Sequence, residues 1–401
     1  MKNPARFAAL ILGLALTTSS FAACGNAAVQ ATSTASSAAS ANATAAASAE
    51  ATPAATAAAS TEAAAGDLNG MSLEAIIAQA KTEGDIQSIG MPDNWANWGQ
   101  TWKDLTAQYA LKHTDADMSS AEELALFEAE KAKPTKDIGD VGMSFGPIAV
   151  EKDLVQAYKT TSWDKIPDWA KDKDGKWIIG YYGTMSFMVN TDKVKDVPKS
   201  WADIKKGTYK VSVGDVTKAN QAMSAVLAAS IAFGGSESDL KPGLDFFAEL
   251  AANGRLDMGE ANIARLEKGD VDVVFFWDFN ALGYRDQLQA ANANVHYEVH
   301  VPVDGSIQSG YCTVINKYAP HPAAAALARE YILSDAGQIN LARGYAKPIR
   351  SDVQLPEDVK AKLIPEAEYV KARPIQDFAA WGKTTAALPE LWQNDVLSMV
   401  K

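Results

Sequence analysis

Tryptophans, tyrosines and carboxylates gather at the places where a strand pattern gives way to a helix pattern. The first such junction carries Asp93, Asn94, Trp95, Asn97 and Trp98, the next Ser119 and Ser120, and a third Phe145 and Gly146. Tyr181, Tyr182 and Thr184 lie on an apolar strand. Further along, Asp215, Thr217 and Asn220 share a junction, Trp277, Asp278 and Asn280 share another, and Tyr311 stands near the end of the pattern. Ring faces attract positive charge and carboxylates fix the position of a nitrogen, so this mixture suits an organic cation. No Arg or His stands at these junctions and Lys218 is the one nearby cation. That removes the usual bidentate partner of a phosphate, although helix amino ends bind phosphate unaided, so phosphate stays open.

Each of these residues also has a structural reading. Asp278 precedes a helical run, and Asp215 with Thr217 precedes another, so all three fit N-terminal caps as well as ligand contacts. Trp102 and Trp201 sit on helix faces and read as core. Trp95 and Trp98 lie in a stretch rich in Gly, Asn and Pro that lacks a clear helical stripe, which turns both toward a groove. Nucleophilic catalysis finds little footing: there is no Gly-x-Ser-x-Gly elbow, and Ser238 with Lys241 matches Ser-x-x-Lys only at chance spacing. The chain has four His, and His296 and His300 share a strand face without a recognised ligand geometry. The expectation is a protein that is not an enzyme and carries no cofactor and no metal. A surface-anchored hydrolase is the reading of a different class, and it would need a nucleophile and base that the sequence does not bring together.

The elements that must position these groups alternate. A helix over 72–82 ends at Gly84, a strand over 85–90 follows, and a helix runs through Trp102, Leu105 and Tyr109. A strand over 112–117 leads to a helix opened at Ser119 by a capping pattern, then come strands over 137–142 and 181–189. After Asn190-Thr191-Asp192 the pattern starts afresh. Helices over 199–204, 222–232, 244–252 and 262–268 are interleaved with strands over 209–213, 270–277 and 297–303. A strand over 310–316, helices over 323–333 and 337–342, and an extended stretch at 347–350 complete it. Strands separated by helices argue for parallel βαβ units. The simplest topology leaves a first lobe at 67–189, builds a second at 190–305 and returns for 306–401. Two crossings make a hinge, with a groove at the carboxyl ends of both sheets.

The chain opens differently. Lys2 and Arg6 precede an apolar run from Phe7 to Leu16 and then small residues, the pattern of an export signal over 1–23. The run is too short to cross ~30 Å of hydrocarbon. Phe21-Ala22-Ala23-Cys24 resembles a bacterial lipobox with Phe in place of the commoner Leu, which makes Cys24 a lipidation site. Ordinary secretion with cleavage near Ala22 or Ala23 is the alternative. Residues 24–66 are almost entirely Ala, Ser and Thr, too poor in large apolar groups to offset ordering entropy, and read as a tether. The body holds one cysteine, Cys312, so it can form no internal disulfide. A formal charge of −12 disfavours nucleic acid and anionic lipid as partners.

Several segments carry a family resemblance. Met185 to Asp192, Pro198-Lys199-Ser200-Trp201-Ala202-Asp203-Ile204 and Leu266 to Val273 with its Gly269-Asp270-Val271 are similar to the family 1 extracellular solute-binding proteins, as are His321 to Ala325, Ile332 to Gln338 and Lys347 to Arg350. The resemblance implies an α/β, two-lobed, type II periplasmic-binding-protein-like fold with two hinge crossings and a ligand cleft between the lobes. It further implies a monomeric receptor outside the cytoplasm that delivers a small solute to the permease of an ATP-binding-cassette importer. The lipid at Cys24 would hold it to the membrane at the cell surface or in the periplasm. Among solutes, a polyamine or similar amine comes first, then a phosphonate or sugar phosphate, ferric iron and thiamine. Ferric-ion binders of this superfamily place adjacent tyrosines after the apolar strand of the second lobe, where this chain has Trp277-Asp278-Phe279-Asn280.

Overall fold

The computed structural model describes residues 67–400 apart from Ala261 and Ala293; the export signal, Cys24 and the tether lie outside the described residues. Local chemistry accounts for the first elements. The Ser72 hydroxyl accepts from the Ala75 N–H and Gly84, at φ 70°, closes the helix Leu73–Glu83. Strand Asp85–Ile89 then pairs in parallel with Lys112–Ala116 and Ile138–Gly142. Helices Trp98–Tyr109 and Ser120–Ala129 make the crossovers that parallel strands require. The capping pattern read at Ser119 forms as a capping box with Glu122.

The strand Trp177–Asn190 belongs to two sheets. Its first half runs antiparallel to Ser306–Asn316, which also lies against Ile138–Gly142, and so completes the first sheet. Its second half runs antiparallel to Val273–Trp277 and Tyr297–His300 and belongs to the second sheet. Parallel strands Val211–Ser212 and Leu256–Asp257 extend that second sheet. The outward crossing is therefore one unbroken strand, and the return runs from Tyr297–His300 into Ser306–Asn316.

A further passage follows near the C-terminus. Ala372–Pro374 lies parallel beside residues 306–308, and the chain then enters helix Phe378–Leu391. Thr384 donates to the Glu237 carbonyl at 2.7 Å, and Trp392 meets Phe247 edge-on at 5.2 Å. The end of the chain therefore packs on the second lobe, on helix Lys241–Ala252, which corrects the expectation that all of 306–401 joins the first. Gly382 and Pro389 weaken the helical pattern there, so periodicity alone gave no element beyond 350. No helix among the described residues is long and apolar enough to cross a membrane.

Candidate functional site

The cleft is built where strands of the first lobe end against a helix start in the second. Strand Asp85–Ile89 ends at Gly90, at φ 72°, and leads into a loop that carries Trp95. Ala96 and Asn97 both sit in the left-handed region, at φ 45° and 62°. Two successive non-glycine residues there cost of order 1–3 kcal/mol each, so neighbours must hold them. Asn340 does so, accepting from the Asn97 side chain at 2.6 Å and donating to Thr101 at 2.8 Å. Gly344 leaves room for the loop, since a Cβ there would lie 2.4 Å from Ala96 backbone. Trp95, so placed, donates its indole N–H to Tyr181 at 2.7 Å, and Tyr181 donates to Asp140 at 2.6 Å.

Asp140 and Glu123 form the acidic floor. Both are almost fully buried, and the Asp140 N–H donates to Glu123 at 3.1 Å. Glycines make the space: a Cβ on Gly90 would fall 2.4 Å from a Glu123 oxygen, and one on Gly139 2.9 Å from the other. Burial pushes both carboxyls well above their usual range, and for Glu123 the Asp140 charge adds to it. Neither pairs with a Lys or Arg; the Tyr181 hydroxyl and the Trp98 indole N–H are the donors that act to lower the Asp140 carboxyl against its burial. Asp115 and Asp117 behind and beside them are also raised, first by burial.

These groups surround a cavity of about 180 Å³ bounded by Trp95, Asp117, Ser119, Glu123 and Asp140 on one side, Asn220 and Gln221 on the other, and Tyr311. An adjoining cavity of about 300 Å³ shares Asp117, Met118, Ser119, Ala219 and Gln221 and adds Glu122, Asp215, Lys218 and Glu260. Helix Asn220–Ala232 approaches because Gly142 is bare, a Cβ there falling 2.1 Å from Asn220. Ser144 donates to Asn220 across the gap at 3.1 Å. An aromatic wall stands behind: Trp95 meets Phe279 and Tyr311 edge-on at 5.4 Å, and Tyr181 stacks on Tyr311 at 5.8 Å. The strand pairing shifts register between Tyr311 and Cys312, an irregularity of the kind that re-aims side chains beside sites. A larger recess of about 850 Å³ around Lys193, Lys206 and Tyr209 lies on the second lobe alone and touches none of this.

The junction residues sort unevenly. Trp95, Ser119 and Tyr311 line the inner cavity, and Asp215 lines the outer one. Thr217 borders a separate recess with Met258 and Trp392, and Asp215 accepts from its N–H and hydroxyl at 2.8 and 2.6 Å as a turn cap. Tyr181, Trp277 and Asn280 are buried one layer behind, where Trp277 donates to Tyr311 at 3.0 Å and Asn280 to Gln221 at 3.2 Å. Asp93 and Asn94 are exposed and border none of these cavities. Trp98 was expected to face the groove; instead it is fully buried, because Trp98, Trp102 and Leu105 form one helical stripe. Phe145 starts helix Phe145–Glu151 and is core. Tyr182 is half-buried with Lys347 about its ring at 6.0 Å, away from the cleft.

Asp278 has another task. One oxygen accepts from the Thr184 and Phe279 N–H groups at 2.9 Å each, and the other accepts from Tyr369 at 2.8 Å. Its carboxylate ties the crossing strand to the C-terminal segment and borders neither cavity of the cleft. The residues that sequence reasoning missed are Asp117, Glu122, Glu123, Asp140, Gln221 and Glu260. Asp140 offered one signal, a carboxylate in the middle of an otherwise apolar strand, which needs a partner if buried. Among the described residues no three His, Cys, Asp or Glu are grouped to hold a metal ion.

Comparisons with known proteins agree with this architecture. The family model for the bacterial extracellular solute-binding protein matches residues 133–372. No curated protein matches the chain. Among solved structures, the periplasmic binding protein AfuA of Actinobacillus pleuropneumoniae, with exogenous fructose-6-phosphate bound, is 18% identical with a TM-score of 0.64, over 78% of this chain and 98% of its own. Iron-bound HitA of Pseudomonas aeruginosa is 17% identical with a TM-score of 0.58, over 76% and 98%. A periplasmic thiamin binding protein is 14% identical with a TM-score of 0.61, over 78% and 96%. These likenesses establish the two-lobed type II periplasmic-binding-protein fold. With the family match covering most of the body, the chain belongs to the bacterial extracellular solute-binding proteins.

Proposed function

We propose that this solute-binding protein of the ABC-importer type captures a small organic cation, an amine of the polyamine class or a relative, between its lobes. One observation carries the reading. Two buried carboxylates, Asp140 and Glu123, border one cavity, and no Lys or Arg lines it. An ammonium entering there would be the one opposite charge on the inner cavity and would lower both carboxyls. Trp95 and Tyr311 add ring faces that favour a cation over an anion. Phosphate would meet Asp117, Glu123 and Asp140 with no cation on the inner cavity, so a sugar phosphate or phosphonate fits poorly. The solutes named for related structures belong to those proteins.

The remaining expectations join this proposal. Lipidation at Cys24 with a tether over 24–66 would hold a monomeric receptor outside the cytoplasm, facing its permease. Its role requires binding and hinge closure, with no catalytic step. A thermal-shift panel of putrescine, spermidine, thiamine, aminoethylphosphonate, hexose phosphates and ferric citrate tests the solute. Stabilisation by an amine is expected, and stabilisation by phosphates or iron alone would overturn the reading. Solution scattering tests the closure: the particle should become more compact with the stabilising amine.

A further inference from the structure

The inner and outer cavities differ in one respect that bears on which amine fits. The inner carboxylates Asp140 and Glu123 have no basic partner, whereas the outer ones already have one. Lys218 reaches from the second lobe to Glu122 of the first at 3.2 Å and lies 3.9 Å from Asp215. It is the one basic residue bordering either cavity. The cavities adjoin, with Asp117, Ser119 and Gln221 in the walls of both. A linear diamine with one ammonium at Asp140 would send its second toward Glu122 and Asp215, where the Lys218 ammonium already stands.

Resting on the cation reading above and narrowing it from polyamines to their relatives with one positive end, we propose that Lys218 is a specificity-determining residue: a tethered ammonium that occupies the outer acidic position and discriminates against solutes with a second positive end. The physical argument is substitution of like for like. A primary amine on a side chain and one on a solute seek the same carboxylates, and whichever arrives second meets repulsion from the first. A diamine must either displace Lys218 from Glu122 or leave its own far end unpaired beside it. A monoamine does neither. The contact is partly exposed, with side-chain exposures of 51% for Lys218 and 47% for Glu122, so its effect is modest and falls with added salt.

Isothermal titration of the purified protein and its Lys218→Met variant with n-butylamine and with putrescine tests this. The two probes share a carbon chain and differ by one ammonium. The ratio of putrescine to butylamine affinity should rise about fivefold in Lys218→Met at low salt, the size expected of a partly exposed charge contact. Glu122→Gln, which frees Lys218 without removing it, should lower the same ratio. An unchanged ratio with both affinities falling together would make Lys218 a latch between the lobes and overturn the proposal while leaving the cation reading intact. Failure of both amines to bind either protein would overturn the cation reading and this inference with it.

Discussion

Asp140 and Asp278 make an instructive pair. Both are buried aspartates, Asp140 within the strand Ile138–Gly142 and Asp278 just after Val273–Trp277, and burial raises both. Asp278 spends its oxygens on three donors, Thr184, Phe279 and Tyr369, and so fastens the crossing strand to the C-terminal segment. Asp140 accepts from Tyr181 and borders a cavity beside the second buried carboxylate, Glu123. Depth and perturbed acidity are shared, so neither marks a binding residue. The distinguishing mark is a place on the wall of a cavity that no Lys or Arg lines, which Asp140 has and Asp278 lacks.

The largest effect separates the two directly. Asp140→Asn should weaken amine binding by about 100-fold or more, since a buried charge pair that loses one member costs several kcal/mol. The same change should stabilise the protein without amine. A carboxyl whose folded pKa is raised contributes stability only below its unfolded pKa, near 3.8, and that contribution is lost as pH rises through the folded value. At pH values above the unfolded pKa the ionisable carboxyl is therefore a burden whether it keeps its proton or loses it, and its replacement should raise the melting temperature. An amine affinity equal to wild type would break the comparison.

Asp278→Ala should show the opposite balance. Three donors lose their acceptor, and denaturant unfolding should report a loss of about 2–3 kcal/mol. A stability within experimental error of wild type would mean that these bonds do not fasten the crossing strand.

Amine affinity should also fall as pH is lowered. Asp140 and Glu123 must give up protons to pair with an ammonium, so each coupled proton weakens binding by about tenfold per pH unit below the raised folded pKa. Titration calorimetry in buffers of different ionisation enthalpy should detect proton release; its absence would show that the carboxylates are already charged without the solute.

The smallest effect concerns the loop that presents Trp95. Asn340→Ala removes the group that holds Ala96 and Asn97 in their left-handed conformation and should weaken amine binding about fivefold, within the ~1–3 kcal/mol such strain represents. Wild-type affinity in that variant would mean that the loop holds its shape unaided.

Much of the fold was legible because it is written in local terms. Ser72 and Gly84 bracket a helix, Ser119 and Glu122 open another, and apolar runs announce the strands around Phe187 and Phe275. The site was less legible. Trp98 looked free because its loop hid a stripe shared with Trp102 and Leu105. Glu123 was overlooked because its neighbour Glu122 explained the helix start, although the next position points inward. Asp278 starts its helix without capping it, since Trp277 stands at the cap position, and its partner Tyr369 arrives from a segment where the sequence offered no pattern at all.

The order of residues by itself determined a body of alternating helices and strands, since capping, periodicity and turn chemistry act over a few neighbouring positions. It also determined an excess of acid and aromatic groups where strands end. Only the tertiary structure decided which of those groups face a cavity and which are consumed in holding it together. Asp140 stands 41 residues from Tyr181 in sequence, and Asp278 stands 91 from Tyr369. Whether a buried carboxylate is satisfied depends on partners that distant, and no local pattern encodes them.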